Sequence, residues 1–166
     1  MDNIDDFEIP EDAFEKIKDP IAFWQQIDEG KTFQEILGYS DNLMEKFYKV
    51  AYSYFQHQHY ETAGEAFTFL TTLNPTVFNY WLGLGMSEQM CEDFDSALLS
   101  YEMAAMVDVT NPIVHYHSAT CHRSLLDDES ALRSLDLCLQ NAGDEQEFAD
   151  VRGIALEAKE RILRRG

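Results

Sequence analysis

Residues 80–104 read YWLGLGMSEQMCEDFDSALLSYEMA. Apolar residues recur along this stretch at helical spacing, yet Gly83 and Gly85 stand inside it. A glycine in an exposed helix interior costs roughly 1 kcal/mol relative to alanine, so close packing must offset it. The polar turn CEDF (91–94) divides the stretch into two helical segments. Where the second segment crosses the first, Gly85 is expected to face Ala97. Gly83 leaves room for a neighbouring side chain or for a ligand. A phosphate-cradling loop is the rival reading. It needs a preceding strand and a third glycine where Glu88 stands, so it is set aside.

The same pattern recurs at a shift of 34 residues. Ala63, Ala97 and Ala131 come into register, as do Ala51, Gly85 and Ala119, and Phe67, Tyr101 and Leu135. Each unit holds two helical segments around a polar turn: QHQHY (56–60), CEDF and LDDE (126–129). Ala51 is expected to face Ala63, and Ala119 to face Ala131. The pattern resembles the tetratricopeptide repeat. The middle unit supplies Trp81, Leu84, Gly85, Ala97, Tyr101 and Ala104, with Glu88 in place of the usual tyrosine. The first supplies Phe47, Val50, Ala51, Tyr54, Ala63, Phe67 and Pro75; the third, His115, Ser118, Ala119, Ala131 and Leu135. The fold expected is all-α, with three tandem repeats over residues 41–143.

Flanking elements follow from local signals. Asp19 before Pro20 starts a helix that Gly30 ends. Thr32 and Glu35 form a capping box, with Gly38 after a short helix, and Ser40 caps the first repeat helix. Residues 19–40 thus read as N-terminal helices, and 1–18 as an acidic tail, ordered only on binding. Gly143 stops the last repeat. Asp144 with Glu147 is expected to begin a capping helix over 144–166, whose Arg161, Arg164 and Arg165 suit the negative end of its dipole.

The 166 residues fit one domain with 45% apolar content. Against 12 basic residues stand 31 acidic ones, a net charge of −19. That charge repels phosphate, which argues against nucleic acid and anionic membrane as partners. No apolar run approaches the ~20 residues of a membrane span, and the acidic N-terminus is unlike a signal peptide. Cys91, Cys121 and Cys138, odd in number and without CxxC spacing, read as reduced thiols.

In a stack of helical hairpins the first helices line the hollow side. Helical spacing there aligns Tyr48, Tyr52 and Phe55 in the first unit. The second offers Leu82, Met86 and Gln89 with Met90 beside them, and the third Tyr116, Thr120 and Arg123. Aromatic and thioether groups on a face that should be solvated point to a groove for an extended apolar segment of another protein. The alternative is that Tyr48, Tyr52 and Met86 pack on the N-terminal helices or on a second copy. For Trp24 and Trp81, core packing is the expectation.

The wording FYKVAYSYFQHQHYETAGEAF (47–67), the middle stretch, and VHYHSATCHRSL (114–125) resemble the class II chaperones of bacterial type III secretion. Tyr48, Ala51, Tyr52 and Tyr60, the LGLG core, and the His117–Cys121 run stand in that family's order. GKTFQEILGYSDNLMEKFY (30–48) resembles its lead-in, so the likeness covers about residues 21–160. The turn HQHY (57–60) departs from the family's usual Gly and Lys. The resemblance implies a cytosolic, non-enzymatic chaperone of a bacterial cell. It would keep a secreted client soluble before export, either a translocator or a gatekeeper. Grip on a proline- and leucine-bearing segment would then fall to Tyr48, Tyr52, Phe55, Leu82, Met86 and Tyr116. A homodimer through the N-terminal helices is among the states it allows. A generic repeat adaptor of another system is the alternative function.

Other chemistries find less support. A clamp for an acidic C-terminus would need Lys, Arg and Asn where Tyr48, Tyr52, Gly83, Ile113 and His117 stand. His117 and Cys121 share a helix face, with His115 and His122 nearby, but no second ligand pair has a recognisable spacing. Asp127 and Asp128 read as turn or capping residues. No catalytic residue, metal site or cofactor is expected.

Overall fold

A computed structural model describes residues 7–164, which contain nine α-helices and no strand. Two short helices, α1 (Pro20–Asp28) and α2 (Phe33–Leu37), precede three hairpins. These are α3 (Asp41–Gln56) with α4 (Tyr60–Leu73), α5 (Phe78–Met90) with α6 (Phe94–Val107), and α7 (Ile113–Ser124) with α8 (Asp128–Ala142). A last helix, α9 (Ala149–Leu163), packs on α8. The first helices lie side by side, α3 touching α5, α5 touching α7, and α7 touching α9.

The hairpin turns repeat bond for bond. The N–H of His59 donates to the Tyr54 carbonyl (3.0 Å), Asp93 to Glu88 (3.0 Å), and Asp127 to His122 (2.9 Å). This six-residue closure places one residue in each turn in the left-handed region: Gln58 at φ 63°, Glu92 at 64° and Leu126 at 62°. Asp93 and Asp127 then cap the second helices, their carboxylates accepting from the N–H of Ser96 (3.2 Å) and Ser130 (2.9 Å). Between hairpins, Asn74 accepts from the Thr76 N–H at 3.1 Å, and Asp108 from the Thr110 N–H at 3.1 Å. Pro112 follows the second of these turns and precedes α7.

The paired alanines are core residues, with Ala51, Ala63, Ala97 and Ala131 fully buried and Ala119 nearly so. The two glycines of α5 accommodate rings. A Cβ on Gly83 would lie 2.3 Å from Cε1 of Phe67, and one on Gly85 would lie 2.7 Å from Cε1 of Tyr101. The closest neighbour of Gly85 is therefore Tyr101, one turn beyond the expected Ala97. Phe67 and Tyr101 are large and completely buried, so their packing outweighs the helix-propensity cost of two glycines. Trp81 packs against both the buried cluster around Phe67 and Leu84 and that around Ala97 and Tyr101, and donates Nε1–H to the Pro75 carbonyl at 2.8 Å.

The flanks differ from expectation in three places. Trp24 is 61% exposed and is not a core residue, because α1 packs mainly on α2 and the short turn before it. The last helix begins at Ala149, since Gly143 at φ 47° is followed by a 3-10 turn over Gln146–Phe148 that contains Glu147. Within the segment read as a tail, Ala13 is buried, Phe7 stacks on Phe47 at 5.4 Å, and Lys16 donates to the Leu37 carbonyl at 3.3 Å. Residues 1–6 and Arg165 lie outside the described residues. The remaining caps follow the sequence. Asp19 accepts from the N–H of Ile21 and Ala22, Thr32 and Glu35 exchange both capping-box bonds, and Ser40 accepts from the Leu43 N–H.

Candidate functional site

Helical spacing brings Tyr48, Tyr52 and Phe55 of α3 to one side of a cleft, and Leu82 and Met86 of α5 to the other. The cleft has a volume of about 200 Å³, and Phe67 of α4 and Gly83 contribute to its lining. Because Gly83 has no side chain, the Phe67 ring comes against the α5 backbone and closes the base of the cleft. Tyr48 anchors the aromatic wall. Its ring meets Phe67 edge-on at 6.0 Å, lies 6.0 Å from Tyr80, and stacks on Tyr52 at 6.1 Å. Burial pushes the phenols of Tyr48 and Tyr80 above their usual range, so both are neutral hydroxyls at physiological pH. Tyr52 is 45% exposed and Phe55 is half-buried against Tyr60 at 5.3 Å. No residue of α1 or α2 lines the cleft.

The rest of the predicted stripe has other surroundings. Gln89 accepts a hydrogen bond from the Tyr101 hydroxyl at 2.6 Å, and Met90 is exposed at the end of α5; neither lines the cleft. Tyr116, Thr120 and Arg123 line a separate hollow of about 290 Å³ between α7 and α9, facing Ala158 and Arg161. The predicted residues thus fall into an aromatic cleft and a polar hollow.

Several titratable side chains of the second and third hairpins are partly or fully buried. Ser100 donates to Glu88 at 2.6 Å, and burial raises the Glu88 carboxyl pKa despite that bond. His117 stacks on Tyr101 at 5.4 Å, and burial holds its pKa down to about 4. Cys121 and Cys138 are buried, their thiols pushed up to about 12 and about 11. Thiols so far above neutrality are poor nucleophiles. Among the described residues, no group of three or more His, Cys, Asp or Glu side chains could hold a metal ion. Nor is any described helix long and apolar enough to cross a membrane.

No model of a protein family matches the sequence. Low calcium response locus protein H of Yersinia pestis is 28% identical over 122 residues, which is 74% of this chain and 73% of that protein. SycD, the type III secretion chaperone of Yersinia enterocolitica, solved with a peptide of the translocator YopD, superposes with a TM-score of 0.73. It is 26% identical, and the match covers 76% of this chain and 98% of SycD. PcrH, known from Pseudomonas aeruginosa and solved with the chaperone-binding region of PopD, gives a TM-score of 0.75 at 26% identity. That match covers 77% of this chain and 96% of PcrH. The fold thus has solved counterparts over about three quarters of the chain, and the chain is homologous to low calcium response locus protein H and built like SycD, a translocator chaperone of type III secretion, and like PcrH.

Proposed function

We propose that this chain is a non-enzymatic, cytoplasmic chaperone of a type III secretion system, and that its client is a translocator. The cleft between α3 and α5 receives an extended apolar segment of that client and keeps it soluble until export. One observation carries the reading: five residues chosen by repeat register, Tyr48, Tyr52, Phe55, Leu82 and Met86, converge on one recess whose base is already closed by Phe67. Preformed aromatic walls take up apolar side chains with little loss of rotamer freedom, and Met86 adapts to irregular ones. The peptide complexes of SycD and PcrH support the same class of client.

The N-terminal helices support self-association. Phe14 just before them, and Ile21 and Trp24 on α1, are 68%, 73% and 61% exposed, an apolar set that the other described residues leave uncovered. SycD has been crystallised in an alternative dimer.

Co-expression with candidate clients, followed by co-purification, tests the cleft. Tyr52→Ala and Met86→Glu, each on a partly solvent-facing side chain, are expected to fold normally and to lose client capture. Undiminished capture by both folded variants would refute the assignment. Mass spectrometry of proteins retained from the native cell separates a translocator from a gatekeeper.

A further inference from the structure

The hollow between α7 and α9 contains guanidinium N–H groups whose hydrogen bonds the fold leaves unmade. Residues 50–122 include no Lys or Arg, so the first two hairpins present no fixed cation from the end of α3 onward. Arg123 at the end of α7 and Arg161 on α9 then appear together in one recess. The Nε of Arg123 is buried without a hydrogen-bond partner, its nearest carboxylate being Asp128 at 3.9 Å. Arg161 makes no ion pair or side-chain hydrogen bond among the described residues. Just past the end of α9, Arg164 is satisfied by Glu160 at 2.9 Å, and on the helix Arg152 by the Gly143 carbonyl at 2.6 Å.

Two hydroxyls of the recess already have partners. Thr120 donates its hydroxyl to the Tyr116 carbonyl at 3.1 Å, and Ser124 to the Thr120 carbonyl at 3.2 Å. The two guanidinium groups, with the Tyr116 hydroxyl, are therefore its available donors. Buried Ala119 and Leu135 lower the local dielectric and strengthen any charge-assisted bond made there. A buried, unanswered guanidinium N–H is costly, and a planar carboxylate fits its fork.

We propose that this hollow is a carboxylate-binding site, in which Arg123 and Arg161 hold an acidic residue of the same extended segment whose apolar side chains fill the cleft. The inference rests on the chaperone reading for its source of carboxylate. Cleft and hollow are two helix spacings apart, roughly 20 Å at 8–10 Å per packed pair. At ~3.3 Å per extended residue, about six residues separate the apolar anchors from the acidic one. In a chain of net charge −19, two arginines at one recess thereby discriminate among apolar segments by the acidic residue they carry.

Two measurements on the full chain decide it. Nε–Hε resonances of the arginines are followed by NMR while N-acetylglutamate, N-acetylglutamine or inorganic phosphate is added. Saturable shifts of Arg123 and Arg161 with N-acetylglutamate alone, and none at Arg133, are expected. No saturable shift overturns the site, and a larger response to phosphate assigns it to a free anion instead. In the second, fluorescent twelve-residue peptides with paired leucines carry Glu or Gln six residues away. Wild type is expected to bind the Glu peptide about tenfold tighter. The combined Arg123→Gln and Arg161→Gln variant should abolish that preference without weakening the Gln peptide. Equal binding of both peptides, with Tyr52→Ala weakening both, would overturn the hollow while sparing the cleft. Failure of either peptide to respond to Tyr52→Ala would count against the cleft, leaving the NMR titration to decide the hollow.

Discussion

The cleft and the hollow are made from equivalent positions of one repeat, yet their chemistry is opposite. At successive shifts of 34 residues, Tyr48 becomes Leu82 and Tyr116, Tyr52 becomes Met86 and Thr120, and Phe55 becomes Gln89 and Arg123. The backbone presents each position similarly, because every hairpin turn closes with the same hydrogen bond. What changes is the side chain beneath. Phe67 underlies the cleft, whereas its counterpart Leu135 lines the hollow. A repeat scaffold fixes where groups point, and individual substitutions then choose what they bind.

The largest effect expected is at the base of the cleft. Phe67→Ala should cost about 3–5 kcal/mol in chemical denaturation, since a fully buried ring is lost. Gly83→Ala tests the same contact from the other side. The added methyl gains helix propensity but meets Phe67 at 2.3 Å, so a net loss of about 1–3 kcal/mol is expected. A stabilised Gly83→Ala would show that the ring does not close the cleft. Gly153→Ala on α9, with nothing within 4 Å, is the control and should stabilise.

A smaller, pH-dependent effect lies where the two regions meet. His117 has its pKa held down to about 4, so between pH 6.5 and 4 the unfolded chain binds more protons than the folded one. Its contribution is complete above pH 6.5 and is lost as pH falls towards 4. The amount is on the order of 1–3 kcal/mol. Denaturation across this window should show a shallower acid slope in His117→Gln. Glu88, raised by burial, acts in the opposite direction, its share declining as pH rises. An unchanged slope in His117→Gln would mean that the histidine is solvated.

The smallest effect compares the turns themselves. Leu126 is 90% exposed at φ 62°, a conformation that glycine adopts without strain. Leu126→Gly at the hollow end and Gln58→Gly at the cleft end should each raise stability by about 0.5–1 kcal/mol. Clearly unequal gains would show that the turns are not equivalent.

Much of this molecule was legible in the sequence because a repeat displays its own register. The alanines at 63, 97 and 131, the caps at Asp19, Thr32 and Ser40, and the aromatic stripe of α3 needed only helical period and local hydrogen-bond chemistry. Trp24 could not be placed that way, since its apolar surface finds a partner only if another element happens to cover it. At Gly85 the ring of Tyr101 comes closest for the same reason, because ring size and crossing angle decide which side chain reaches a glycine. Gln89 illustrates the point most simply: its spacing assigned it to the groove, and the hydroxyl of Tyr101 engaged it instead. Period and caps are local properties of a chain, and the sequence by itself determined them. The division of one stripe into an oily cleft and a charged hollow was decided by tertiary structure, because it depends on what packs behind each position and on how α9 sets Arg161 opposite Arg123.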